Sequence, residues 1–275
     1  MIKHFLNPPN WFTSASIFCS VYAMALVMQG GADPAVLSRA SVLVVFGGIF
    51  DMLDGRVARM TNRFTEFGVQ LDSIADVLGF GLAPAMLAWT WKLHELGGFG
   101  VAITFWYVLC AAFRLARFNV EASNKSWTLD GHTQGLTTTM SGGALVTGIW
   151  VANDYLLDAL TPSAFWVGAL VAGLGVAMIS SIPFRSFKDT RQNKKARAML
   201  AVCLAACLAG AIVLDWSMWW GVGAFLYLTV GLVDGIVTAI WHRRLTNALL
   251  IDEMEQVLQE DGLPDEQDVD ELEAR

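Results

Sequence analysis

Eight stretches of about 20 apolar residues, near 11–29, 37–58, 71–91, 98–118, 139–158, 163–182, 197–214 and 217–241, constrain this chain more than any other feature. That is the length a helix needs to cross the roughly 30 Å hydrocarbon core of a bilayer. Inside that core a backbone must satisfy its own hydrogen bonds, which leaves helices or closed barrels. The segments are too long for barrel strands, so the expectation is an all-α integral membrane protein: a polytopic bundle of about six to eight transmembrane helices. A mean hydropathy of +0.50 with only 16% charged residues excludes an ordinary soluble domain.

The net charge of -7 divides unevenly along the chain. From Asp252 onward eleven Asp and Glu face a single Arg, which leaves residues 1–251 at about +3. If the N-terminus is cytoplasmic, sixteen of the eighteen Lys and Arg fall on that side, with only Arg39 and Lys92 opposite. The positive-inside rule then places both termini in the cytoplasm and favours an even number of spans. The chain divides into an interfacial segment at 1–10, a membrane domain at 11–245 and an acidic, partly disordered tail at 246–275. Pro8 and Pro9 suggest an extended or kinked entry to the first span. The four cysteines all lie in apolar segments without the spacing of a zinc site, and no nucleic-acid partner is expected.

Against this apolar background, Asp51, Asp54, Asp72 and Asp76 stand at or inside the ends of two spans joined by a short basic connection. An acid near the bilayer centre costs about 2.5 to 3.5 kcal/mol on insertion scales and points to function. Asp51 and Asp54 are i and i+3 on one helix; Gly68, Asp72 and Asp76 run i, i+4, i+8 on the next, so each set shares a face. The hairpin brings the two faces together at the cytoplasmic edge. Close carboxylate pairs there repel by about 4 kcal/mol at an effective dielectric of about 20, and hard divalent cations relieve this. Mg²⁺ or Mn²⁺ suits an all-oxygen donor set, and two such ions can clamp a phosphoryl group during in-line displacement. Gly55, Ala58 and Gly68 leave little side chain between backbone and a bound group, while Arg56 and Arg59 suit phosphate.

The pattern D-x2-D-G-x2-A-R-x8-G-x3-D-x3-D, filled by Asp51, Asp54, Gly55, Ala58, Arg59, Gly68, Asp72 and Asp76, resembles the signature of the CDP-alcohol phosphatidyltransferase family. The resemblance implies a membrane enzyme, usually a homodimer, with a cytoplasm-facing polar cavity. In such an enzyme a hydroxyl displaces CMP from CDP-diacylglycerol. It implies that Asp51, Asp54, Asp72 and Asp76 hold two divalent ions, that Asp76 is the general base, and that Asp54, Gly55, Ala58, Arg59 and Gly68 line the CDP site. "PNWFTS", from Pro9 to Ser14, is similar to the family's first-helix motif, with Asn10 and Thr13 as nucleotide contacts.

"FRLARFNVE" at 113–121 and "SSIPFRSFKD" at 180–189 are similar to segments of the serine-using branch of that family. They make L-serine the expected acceptor, with Arg114, Arg117, Asn119 and Lys188 as candidates for binding it. Inositol, choline or glycerol phosphate are the alternatives within the family. Outside it stands a cation-coupled transporter, which would spread its acids along a crossing path instead of clustering them beside arginines.

Overall fold

The computed structural model describes residues 7–61, 65–124, 132–156, 162–180 and 183–185. Helix α1 covers Pro8–Gly30 and α2 covers Pro34–Thr61. Pro8 and Pro9 are the first residues of α1 instead of an extended lead-in. Their fixed φ suits a first turn, where the missing N–H would have had no helical partner. Gly31, at φ 62°, closes α1 by donating its N–H to the Val27 carbonyl at 3.0 Å. Two residues later Asp33 opens α2, its carboxylate accepting the Ala35 N–H at 2.8 Å. So short a connection makes α1 and α2 antiparallel neighbours.

The third crossing, Glu66–Trp91, is one span built of three pieces. Helix α3 (Glu66–Asp76) runs into a π-helical turn at Val77–Leu82, and α4 (Ala83–Trp91) continues from it. Pro84 has no N–H for the Phe80 carbonyl four residues back. That carbonyl instead accepts from the fully buried Tyr107 hydroxyl at 3.3 Å, and Tyr107 pairs with Ser141 Oγ at 3.0 Å. A freed backbone group in the membrane is thus satisfied by a neighbouring helix.

A 3₁₀ turn at Leu93–Leu96 leads to α5 (Gly98–Asn124). After it come α6 (Thr138–Val151), a π turn at Ala152–Leu156, and α7 (Ala164–Ile179). Small residues let these helices approach: a Cβ on Gly142 of α6 would lie 2.6 Å from the Phe80 carbonyl oxygen, and one on Gly175 of α7 would lie 2.8 Å from Trp106 Nε1. Ala83, Ala85, Leu87 and Ala88 of α4 are wholly buried, which makes the third crossing the centre of the core. Phe18, Phe105, Phe165 and Trp166 stand about two-thirds exposed on the outer faces. On a soluble protein that would be anomalous; against lipid it is expected.

Among the described residues four helices are long and apolar enough to cross a membrane: Pro8–Gly30, Pro34–Thr61, Glu66–Trp91 and Gly98–Val120. The expected spans at 197–214 and 217–241, the interfacial residues before Asn7 and the acidic tail lie outside the described residues. Among the described residues the fold departs from all-α at one place. Strand β1 (His132–Gln134) pairs antiparallel with β2 (Pro183–Arg185), His132 opposite Arg185. This ribbon ties together two segments that the charge pattern assigns to the same side of the membrane.

Candidate active site

Alternation of helix direction gathers the start of α1, the end of α2, the start of α3 and the end of α5 at one end of the bundle. The contacts there show it. Thr13 of α1 donates to Asp54 Oδ2 of α2 at 2.6 Å, and Asn119 of α5 donates its amide to Ser73 Oγ of α3 at 2.9 Å. Thr65 caps α3, accepting the Gly68 N–H at 3.0 Å, so the chain turns out of the loop directly into the acid-bearing face.

On that face the ligand atoms of Asp51, Asp54 and Asp72 lie within 4.8 Å of one another. Asp76, one turn beyond Asp72, adjoins Asp51 side chain to side chain. The four acids of the hairpin therefore form one group. Their chemistry fits a hard divalent ion: every donor is a carboxylate oxygen, and Asp51 Oδ1 is buried without a hydrogen-bond partner. A buried carboxylate oxygen left without a partner is expensive, and a cation would complete it.

An open cleft of about 100 Å³ adjoins the acids, and Asn10, Thr13, Asp54, Gly55, Ala58, Gly68 and Asp72 are among its walls. The structure thus brings together the first-helix pair, which the family resemblance named, and the small residues on α2 and α3. The two glycines act differently. A Cβ on Gly55 would meet no atom within 4 Å, so bare backbone faces open space; one on Gly68 would press on Thr65 Oγ1 at 3.1 Å and Asn10 Oδ1 at 3.3 Å. Gly55 keeps room for a bound group, and Gly68 allows α3 to close on α1. Arg59 is exposed outside these walls, where its Nε donates to the Gly55 carbonyl at 3.0 Å.

The expected acceptor-side residues separate. Arg114 is buried, donates to Thr138 Oγ1 at 3.2 Å, lies over the Phe118 ring at 5.7 Å and interacts electrostatically with Asp76. Arg117 turns elsewhere, donating to the carbonyls of Ile179 at 3.3 Å and Ser180 at 3.4 Å. It caps the carboxyl end of α7, where a cation complements the helix dipole. Gly135, at φ +72°, makes the close approach there possible, because a Cβ would crowd the Met178 and Ser180 carbonyls. Asn119 reaches the acid-bearing helix itself, through Ser73. Lys188 lies outside the described residues. Sequence reasoning missed Thr65 and Val69, which also line the cleft, along with Ser73 and Thr138. Thr65 alone had a signal, as a threonine ahead of an acidic first turn.

Residues 6–176 match the model of the CDP-alcohol phosphatidyltransferase family, an interval that holds every residue of the acidic cluster, the cleft and Arg114. The chain belongs to that family. Among CDP-alcohol phosphatidyltransferases it is 31% identical over 239 residues to the CDP-diacylglycerol–serine O-phosphatidyltransferase of Helicobacter pylori (strain ATCC 700392 / 26695), covering 83% of this chain and 96% of the relative. It is 34% identical over 181 residues to the enzyme of that name from Bacillus subtilis (strain 168), covering 66% of this chain and 90% of the relative. A shorter match to the Saccharomyces cerevisiae enzyme of the same name reaches 46% identity over 120 residues, 43% of each chain.

Proposed function

We propose that this protein transfers the phosphatidyl group of CDP-diacylglycerol to the hydroxyl of L-serine, releasing CMP and forming phosphatidylserine. The observation that carries the reading is the convergence of Asp51, Asp54 and Asp72 within 4.8 Å at a cleft whose wall at Gly55 is bare backbone. The names of the relatives supply the acceptor. Asp51, Asp54, Asp72 and Asp76 would hold two divalent ions, Mg²⁺ or Mn²⁺. When bound, they supply charge neutralisation for the pyrophosphate and for the developing phosphoryl charge.

The remaining work falls to the chain's own residues. Asn10, Thr13, Gly55, Ala58 and Gly68 line the CDP subsite, with Arg59 at its mouth. Asp76 accepts the proton of the serine hydroxyl, since an alcohol is a poor nucleophile at neutral pH and a carboxylate within reach makes its attack feasible. Arg114, buried and in electrostatic contact with Asp76, is the cation that would receive the serine carboxylate. CMP leaves with a stable phosphate, so positioning and electrostatics can provide most of the rate.

The same reading makes residues 11–245 one membrane domain of six to eight crossings and residues 246–275 an acidic tail. It makes the assembly a homodimer in the cytoplasmic (inner) membrane, among its lipids, with the cavity and both termini facing the cytoplasm, as the Lys and Arg distribution favours. The test is to incubate purified protein with CDP-diacylglycerol and serine, inositol, choline or glycerol phosphate in parallel and measure CMP. Release with serine alone is expected; release with inositol and not serine would overturn the acceptor.

A further inference from the structure

The Thr13 hydroxyl has one hydrogen and two acceptors near it. The carbonyl of Pro9, the usual partner of a helical threonine, is 3.3 Å away, and Asp54 Oδ2 is 2.6 Å away. The shorter contact is in the range of a hydroxyl bonded to a charged carboxylate, so the hydrogen belongs to Asp54. Both groups are nearly inaccessible, Thr13 at 3% and Asp54 at 6% exposure. The bond joins α1 to α2 across 41 residues of sequence and fixes the Asp54 carboxylate in a place where water does not compete for it.

We infer that Thr13 is a positioning residue for the divalent-ion site: its hydroxyl holds the Asp54 carboxylate in the orientation that brings it together with Asp51 and Asp72. The inference rests on the reading of the acids as metal ligands. A ligating carboxylate works best when its own orientation is fixed by a neighbour, and loss of such a neighbour typically weakens metal binding by about 10- to 100-fold. Because its hydrogen is committed to Asp54, Thr13 can meet a molecule in the cleft only as an acceptor. This assigns it two directions of action, and the one toward Asp54 is independent of substrate.

The experiment is Mn²⁺ binding to the full detergent-purified chain without substrate, read from the electron paramagnetic resonance signal of free Mn²⁺. The variants are Thr13→Ser, Thr13→Val, Asp54→Asn and the double variant Thr13→Val/Asp54→Asn, with Thr13→Ala replacing Thr13→Val if that protein does not elute as a single species. Thr13→Val is expected to lower Mn²⁺ affinity by about tenfold or more. Thr13→Ser, which keeps the hydroxyl, should bind as the parent does, and Thr13→Val should add no loss to Asp54→Asn. Parent-like affinity in Thr13→Val beside a weakened Asp54→Asn would overturn the role of Thr13 and leave the metal site standing, as would a full additional loss in the double variant. Absence of Mn²⁺ binding in the parent protein would overturn the metal reading and this inference with it.

Discussion

Within the last turns of α2, Gly55 presents bare backbone to the cleft, and replacing it by alanine should move stability and substrate affinity in opposite directions. A Cβ there meets no protein atom within 4 Å, so nothing in the fold resists it. Exchanging glycine for alanine inside a helix is worth up to about 1 kcal/mol. The same methyl would project into the space shared with Asn10, Ala58 and Gly68, where the CDP moiety is proposed to lie. Displacing a closely fitted phosphate by even part of a methyl diameter should raise the KM for CDP-diacylglycerol about tenfold, equivalent to about 1.4 kcal/mol. The assay pairs thermal unfolding in detergent, followed by tryptophan fluorescence, with CMP release across a range of CDP-diacylglycerol fractions in mixed micelles. Gly68→Ala is the comparison: it gains the same propensity but must displace Thr65 Oγ1 or Asn10 Oδ1, at 3.1 and 3.3 Å from the new Cβ, and should lose on both axes. An unchanged KM for Gly55→Ala would refute the assignment of that open wall to the substrate.

Asp76→Asn should abolish turnover while much CDP-diacylglycerol binding survives, whereas Asp51→Asn should weaken Mn²⁺ and nucleotide binding together; calorimetry beside CMP release distinguishes them. Tyr107→Phe removes the donor to the Phe80 carbonyl and leaves Ser141 without that partner, and should lower stability by about 1 to 3 kcal/mol as seen in thermal unfolding. Arg117→Gln should lower the unfolding temperature with little change in the KM for serine, because its bonds go to the end of α7. Arg114→Gln should raise the KM for serine, and the reverse pattern between these two would exchange their roles.

The first four crossings were legible because a run of 20 apolar residues has few alternatives in a bilayer, and the acids were legible because their spacing puts them on facing helices. Gly55, Ala58 and Gly68 could be nominated for the same reason, and Asn10 and Thr13 from the resemblance of the first-helix motif, yet their individual tasks could not. Sequence alone does not say that Thr13 bonds an acid from another helix, or that Gly55 faces open space while Gly68 faces Asn10. Arg114 and Arg117 were equal candidates for the acceptor; what separates them is Thr138 beside one and the end of α7 beside the other. The π turn after Asp76 and the β1–β2 ribbon depend on contacts between distant segments, which no local propensity encodes. The partner of the Phe80 carbonyl that Pro84 leaves free, Tyr107, lies on α5, out of reach of any local reading.

The acid cluster comes from two helices consecutive in sequence, the end of α2 and α3, whereas the buried cation beside it arrives from α5 and is steadied by the first turn of α6. On the proposed function, bond-making machinery and choice of alcohol are therefore written in different parts of the chain. Exchange of residues around Arg114 and Thr138 offers a route to altered acceptors in which the hairpin travels unchanged, as a module that can be inherited whole while its clientele is revised.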